Sequence, residues 1–170
     1  MQALWNTYAG GMGTMATEGA NGVGSYYTAQ PAGNLFDGKV TSSFASRGQS
    51  ASGSNALAGL NTGFHVSIAQ CGPTLVSFRI ATGTSGTERD PMTITVEGSN
   101  GCSNLLTCAN WTRIYNGTSG LVSTLSRNTF GQNVSIPMPH QSYDSYRFLV
   151  TAKRATGSFV TYTEVELYGY

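Results

Sequence analysis

Three cysteines, two histidines and eight acidic residues are the groups in this 170-residue chain that could do covalent, metal or acid–base chemistry. Cys102 and Cys108 bracket a short polar run, Ser103-Asn104-Leu105-Leu106-Thr107. The spacing and context favour a disulfide over two free thiols, and closing so short a loop would contribute about 2–3 kcal/mol by the chain-entropy estimate. Cys-x5-Cys with no histidine nearby is a poor zinc pattern. Cys71, just before Gly72-Pro73, is left over and reads as a small buried apolar residue. His65 falls inside an alternating stretch and His140 follows Pro139. Neither sits in a Gly-x-Ser-x-Gly elbow or a His-Glu-x-x-His helix, and nothing in the spacing of the acids proposes a glycosidase pair. The chain is therefore read as a binding or scaffold protein, not an enzyme.

A binding protein needs faces and donors. Tyr26, Tyr27, Phe44, His65 and Tyr143 are the candidates for a ligand rim, because sugar recognition pairs an aromatic face with polar donors. Trp111 opens a strand and is assigned to packing, whereas Trp5 is assigned to anchoring the N-terminal segment. Arg89 and Asp90, adjacent before Pro91, are read as a hydrogen-bonded staple of their loop. Gly11-Met12-Gly13-Thr14-Met15-Ala16 matches a dinucleotide fingerprint in form only, since neither a strand before it nor a βαβ unit around it is present. Three sequons, at Asn110, Asn116 and Asn133, are candidate glycosylation sites.

The elements that must position these residues read as strands. Val76, Phe78 and Ile80 alternate with Ser77, Arg79 and Ala81, and Met92, Ile94 and Val96 repeat the pattern after Pro91. Strands are expected at 63–70, 74–82, 91–98, 111–115, 133–137, 145–153 and 158–168, with Gly-Pro, Thr-Gly and Asn-Gly turns between them. Residues 45–62 read as a long loop with a weak helical turn near 56–58. Seven or eight such strands, with almost no helical periodicity, predict an all-β antiparallel sandwich of jelly-roll type. Residues 1–30, with Gly10-Gly11 and Gly13, are expected to be an N-terminal arm, flexible alone or ordered by packing, and 31–170 the β-sandwich domain.

Charged residues make up only 10% of the chain and the net charge is +1, so composition supplies no attraction to nucleic acid. No stretch is long and apolar enough to span a membrane. Met1–Trp5 lacks a basic start and a sustained apolar core, so residues 1–24 are not read as a signal peptide. The sequons together with the low charge lean towards a secreted, extracellular setting.

Six segments occur in a fixed order: Leu35-Phe36-Asp37-Gly38; Arg89-Asp90-Pro91 with Val96-Glu97-Gly98-Ser99-Asn100; Trp111-Thr112-Arg113-Ile114-Tyr115; Thr118-Ser119-Gly120-Leu121; Tyr143-Asp144-Ser145-Tyr146-Arg147; and Thr163-Glu164-Val165-Glu166-Leu167-Tyr168-Gly169. In this order they resemble the discoidin, or coagulation factor V/VIII type C, superfamily of galactose-binding-like jelly rolls, closest to its bacterial-type carbohydrate-binding modules. The resemblance covers about residues 33–170. It implies an eight-stranded sandwich with ligand loops at one end and a structural calcium ion. Carried over, the ion would take the side chains of Asp37, Ser42 and Glu164 and main-chain oxygens near Asn34, Lys39 and Thr163. Ser42 stands where a threonine is more usual. The alternative is that Asp37 caps its own turn and Glu164 faces solvent.

Two functions follow. The first is a non-catalytic carbohydrate-binding or adhesion module whose partner is a glycan or glycoconjugate. The second is a structural subunit of an extracellular filament, sheath or surface layer, joined to copies of itself through the N-terminal arm.

Overall fold

In the strand Ser145–Lys153, Tyr146, Phe148 and Val150 belong to the hydrophobic core, as alternation requires. Arg147 and Leu149, on the opposite face, are nonetheless buried as well. Both faces of this strand are covered, and that explains most of what is particular to the chain.

The computed structural model describes residues 1–68, 72–139 and 141–170. Among them are twelve strands: β1 (Gln2–Trp5), β2 (Thr14–Met15), β3 (Thr17–Glu18), β4 (Ser25–Tyr26), β5 (Phe44–Ser46), β6 (Thr62–Ser67), β7 (Leu75–Thr82), β8 (Pro91–Ser99), β9 (Thr112–Thr118), β10 (Val134–Ser135), β11 (Ser145–Lys153) and β12 (Val160–Gly169). They form two six-stranded sheets, in the orders β2-β1-β6-β11-β8-β9 and β10-β7-β12-β5-β4-β3. Every pairing between these strands is antiparallel except that of β3 with β4. The all-β antiparallel sandwich read from the alternation is thus the observed fold.

The inward faces meet in an aromatic core. Phe64 of β6 stacks on Phe148 of β11 with ring centroids 5.1 Å apart, and Phe78 of β7 meets Phe148 edge-on at 5.5 Å across the two sheets. Phe44 and Tyr162 pair edge-on at 5.5 Å. Each such side chain contributes about 1.5–3 kcal/mol through burial, with edge and offset ring geometry adding to it.

Where strands were expected at 74–82, 91–98, 145–153 and 158–168, the observed bounds differ by two residues at most. The strand expected at 133–137 shortens to two residues, while that expected at 111–115 runs on to Thr118. The strand expected at 63–70 ends at Ser67. Cys71, and the expectation that it is buried, lie outside the described residues. Around 56–58 the chain makes a turn, with Leu60 N–H donating to the Leu57 carbonyl, not a helix. The helical segments among the described residues are two short 3-10 turns, Ala32–Phe36 and Thr87–Arg89.

The N-terminal segment is part of the sandwich. β1 lies between β2 and β6, with Ala3 opposite Phe64, and Ala3 joins the central core. Leu4 is fully buried on the other face. The Trp5 ring packs on Gly24, whose φ of +74° and missing side chain leave the room for it. Residues 7–13 then cross the outer face of the first sheet. Thr7 N–H donates to the Asn61 carbonyl and Gly13 N–H to the Leu106 carbonyl. Gly10 N–H donates to Glu97 Oε1 at 2.5 Å, and Arg147 Nη1 donates to the Gly11 carbonyl at 2.8 Å. The loop closed by the disulfide between Cys102 and Cys108 completes the cover.

Candidate functional site

Two groups of residues stand out once the fold is in place, one at each of two unpaired buried charges. Of the buried charged side chains, Glu97 meets Arg147, and Asp90 meets Arg127 and Arg154. Glu164 and Arg47, 7% and 6% exposed, have no oppositely charged side chain in ion-pair range among the described residues. A buried charge is costly unless something compensates it.

Glu164 is carried on β12, against which the Ala32–Phe36 turn packs. Asp-Gly ends that turn, with Gly38 at φ +75°. The backbone N–H groups of Gly38 and Lys39 donate to Glu164 Oε2 at 3.0 and 3.1 Å. Asp37 accepts from Lys39 N–H at 2.9 Å and from the Ser42 hydroxyl at 2.6 Å. Two carboxylates 127 positions apart in sequence therefore share one corner. The Ser42 hydroxyl holds the Asp37 carboxyl below its usual range, whereas burial and the neighbouring Asp37 push Glu164 up. Asp37 does brace its own turn, but Glu164 turns away from solvent, unlike in the alternative reading.

Asn34 and Thr163 flank this corner in structural roles. The Asn34 side-chain amide donates to the Ala29 and Ser43 carbonyls, and the Thr163 hydroxyl donates to the Thr82 carbonyl. No cluster of three or more His, Cys, Asp or Glu occurs among the described residues. An ion here would draw on two carboxylates, the Ser42 hydroxyl and main-chain carbonyls. That all-oxygen set suits a hard cation of calcium type.

Arg47 belongs to the second group, at the end of the sandwich where β5 and β11 finish and β6, β8 and β12 begin. Four loops are tied together there. Asn55 N–H donates to the Gly157 carbonyl, Gly24 N–H to Gly48, Ala155 N–H to Glu88 and Arg154 N–H to Asp90. The Lys153 ammonium gives hydrogen bonds to the carbonyls of Asn55, Ala58 and Gly157, at 2.7–2.9 Å. On this frame Arg47 Nε donates to the Ala20 carbonyl and Nη2 to the Tyr27 hydroxyl. Tyr27 meets Phe159 edge-on at 5.3 Å, and the Arg89 guanidinium lies 4.3 Å above the Phe159 ring. Glu88 Oε1 sits 3.1 Å from Arg89 Nε. Phe159 and Tyr27 are half-buried, and the Arg89 side chain is 28% exposed. The result is a surface row of ring, guanidinium and carboxylate held by loops that are hydrogen-bonded to one another.

Of the five residues read as a ligand rim, Tyr27 alone belongs to this row. Phe44 is fully enclosed between the sheets and has no face to offer. Tyr143 is buried with its ring against Gly98. His65 is buried on β6 beside β1, and burial brings its imidazole down to about 4. Tyr26, half-buried on β4, borders a shallow depression with Met1, Met15 and Pro31, apart from the row. Asn110, Asn116 and Asn133 are all exposed. Trp111 packs under the Arg147 guanidinium, whose carbon is 4.3 Å from the ring. The Arg89-Asp90 pair divides its duties: Asp90 is the staple, gripped two-pronged by Arg127 at 2.6 and 2.7 Å and also by Arg154, while Arg89 lies over the Phe159 ring. Sequence reading missed Phe159 and Arg47. Their available signal was position alone, an aromatic just after Thr156-Gly157-Ser158 and a cation just before Gly48.

No protein-family model matches the sequence, and no curated protein does. Solved structures do match in fold. The family 32 carbohydrate-binding module of a Clostridium perfringens protein, solved in complex with galactose, aligns over 84% of this chain and 87% of its own, at 16% identity and a TM-score of 0.58. A family 32 module from a family 31 glycoside hydrolase of the same bacterium aligns over 86% of each chain, at 13% identity and a TM-score of 0.59. A fucolectin from striped bass (Morone saxatilis) serum aligns over 89% of this chain and 45% of its own, at 18% identity and a TM-score of 0.55. The chain thus shares the β-sandwich jelly-roll fold of these modules and of the fucolectin, the fold that the six ordered segments imply.

Proposed function

We propose that this domain is a non-catalytic carbohydrate-binding module that holds a glycan at the loops where β5 and β11 finish, its apical loops. The observation that carries this reading is the row of Tyr27, Phe159, Arg89 and Glu88, which places apolar ring surface beside hydrogen-bond donors and an acceptor. A pyranose offers the complementary pair, a CH-rich face and a fringe of hydroxyls. The loops beneath the row are cross-linked by hydrogen bonds, which reduces the ordering left to be done on binding. The likeness to a module solved with galactose supports the same reading.

A calcium ion at the Asp37–Glu164 corner is the structural part of this proposal. Its support is the buried Glu164 carboxylate, held by two backbone N–H groups but with no cationic side chain in ion-pair range among the described residues, beside a second carboxylate and a hydroxyl. The ion would pin the Ala32–Phe36 turn to β12. An extracellular setting agrees with the Cys102–Cys108 disulfide and three exposed sequons, and no helix among the described residues is long and apolar enough to cross a membrane. Assembly through the N-terminal segment would require residues 2–13 to exchange their partners in β6, Glu97 and Arg147 for those of a neighbouring copy.

Titration calorimetry against a panel of galactose-, glucosamine- and fucose-type oligosaccharides in calcium-containing buffer tests the proposal. At least one sugar should bind in the micromolar to millimolar range, and Phe159→Ala should weaken it tenfold or more. Absence of binding to every member of the panel and to a broad glycan array would end the reading.

A further inference from the structure

Charge is unevenly spread over the molecule. The chain carries nine Lys and Arg. Five of them, Arg47, Arg89, Arg127, Lys153 and Arg154, gather in the apical loops with two acids, Glu88 and Asp90. The apical end is thus net +3 on a molecule whose formal total is +1.

These cations are not equivalent. Arg127 and Arg154 are spent on Asp90. Lys153 has given all three ammonium hydrogens to carbonyls, so it is fixed in place yet keeps its charge. Arg47 is buried beneath Tyr27 with no carboxylate in range, and its Nη1 has no hydrogen-bond partner among the described residues. Arg89 meets Glu88 through a buried Nε that makes no hydrogen bond, its guanidinium lies over the Phe159 ring, its terminal nitrogens make no hydrogen bond among the described residues, and the side chain is 28% exposed. A partly exposed guanidinium whose terminal nitrogens keep their hydrogen-bonding capacity, backed by two fixed cations in a partly dry setting, is a receptor for a planar or tetrahedral anion. A neutral ligand would leave this field unanswered.

We infer that the apical site selects acidic glycans, those bearing a carboxylate or sulfate on the sugar, with the anion on the terminal nitrogens of Arg89 and the sugar ring alongside Phe159 and Tyr27. This rests on the carbohydrate-binding reading above and narrows its ligand class. The anion source could be a uronic or sialic acid carboxylate or a sulfate ester, and both present the same acceptor geometry to the guanidinium. An anionic membrane is the competing partner for a cationic tip; the half-buried ring beside Arg89 favours a sugar.

The test measures affinities of the wild-type domain for matched oligosaccharide pairs, neutral against uronic, neutral against sialylated and neutral against sulfated, at 20 and 300 mM salt, with phosphatidylserine vesicles in parallel. At least one acidic member should bind tenfold or more tighter than its neutral twin, and added salt should erode that margin. Preference for the carboxylated or the sulfated series names the anion. Arg89→Gln should bring the acidic and neutral partners within about twofold, and Arg89→Lys should keep part of the margin. Neutral sugars bound as tightly as acidic ones would overturn the inference while leaving the carbohydrate-binding reading intact. Vesicle binding with no affinity for any glycan would overturn both.

Discussion

Glu97 and Arg147 form an ion pair, 2.6 Å between Oε2 and Nη2, with both side chains at zero exposure on what would otherwise be the outer surface of a sheet. What encloses them is Gly10 and Gly11, each contributing one backbone hydrogen bond, and Trp111 beneath the guanidinium. The pair is therefore the anchor for the N-terminal segment.

Glu97→Gln should destabilise the domain by about 3–5 kcal/mol, because it leaves the Arg147 charge buried without its counter-ion. Urea unfolding gives the number. Residues 7–13 should also become cleavable by a nonspecific protease under native conditions, while the rest of the chain stays resistant. An unchanged midpoint and an intact N-terminal segment would contradict the anchoring role.

Without metal, Glu164 works against folding at neutral pH. Its folded carboxyl is raised above the ordinary value by burial, so the native state holds a proton more tightly than the unfolded chain. The favourable contribution is then present below the unfolded value and is lost as pH rises through the folded one. A calcium ion bound at this corner, as proposed, would reverse this by supplying the missing charge. Calcium should raise the melting temperature by several degrees at pH 7.5 and by less at pH 5, and Glu164→Gln should abolish the calcium effect. Equal melting temperatures with calcium and with chelator at pH 7.5 would remove the ion from the proposal.

His65 predicts an acid limb of the opposite sign. Its folded value lies near 4, below the ordinary 6.5, with burial the largest cause and the positive charge of Arg147 also contributing. The unfolded chain binds the proton first, so stability is full above about 6.5 and falls as pH drops towards 4, by on the order of 1.4 kcal/mol per unit. NMR titration of the imidazole should show no protonation at pH 5.5; a midpoint near 6.5 would contradict the buried placement.

Replacing Cys102 and Cys108 together with serine should cost about 2 kcal/mol by the chain-entropy estimate. The loop they close supplies Leu106, whose carbonyl accepts from Gly13 N–H. Hydrogen exchange should therefore speed up at Gly13 as well as within residues 102–108. Faster exchange confined to the loop would mean that the N-terminal segment does not depend on it.

The body of the sandwich was legible because strands such as β7 and β8 alternate, and the period-two pattern survives even where, as at Arg147, the outer face is covered. The N-terminal strand was not legible. Gly10 and Gly11 carry no local pattern, and their partners Glu97 and Arg147 lie 87 and 136 positions away. The Asp37–Glu164 corner came into view through ordered family segments, since no local rule joins residues so far apart. The ligand rim was the weakest reading. Aromatic residues in turns and strands look alike in sequence, yet Phe44 and Tyr143 are sealed in while Phe159 is not. The difference is side-chain direction, which depends on register and on what lies across the sheet.

At the end opposite the apical loops, Gln2 lies beside His65 and Tyr170 exchanges backbone hydrogen bonds with Thr74, so the first and last residues leave from the same pole. Anything attached there, a bead, a dye or another folded unit, hangs behind the domain and leaves the row of Tyr27, Phe159 and Arg89 pointing forward, like the tip of a probe held by its handle.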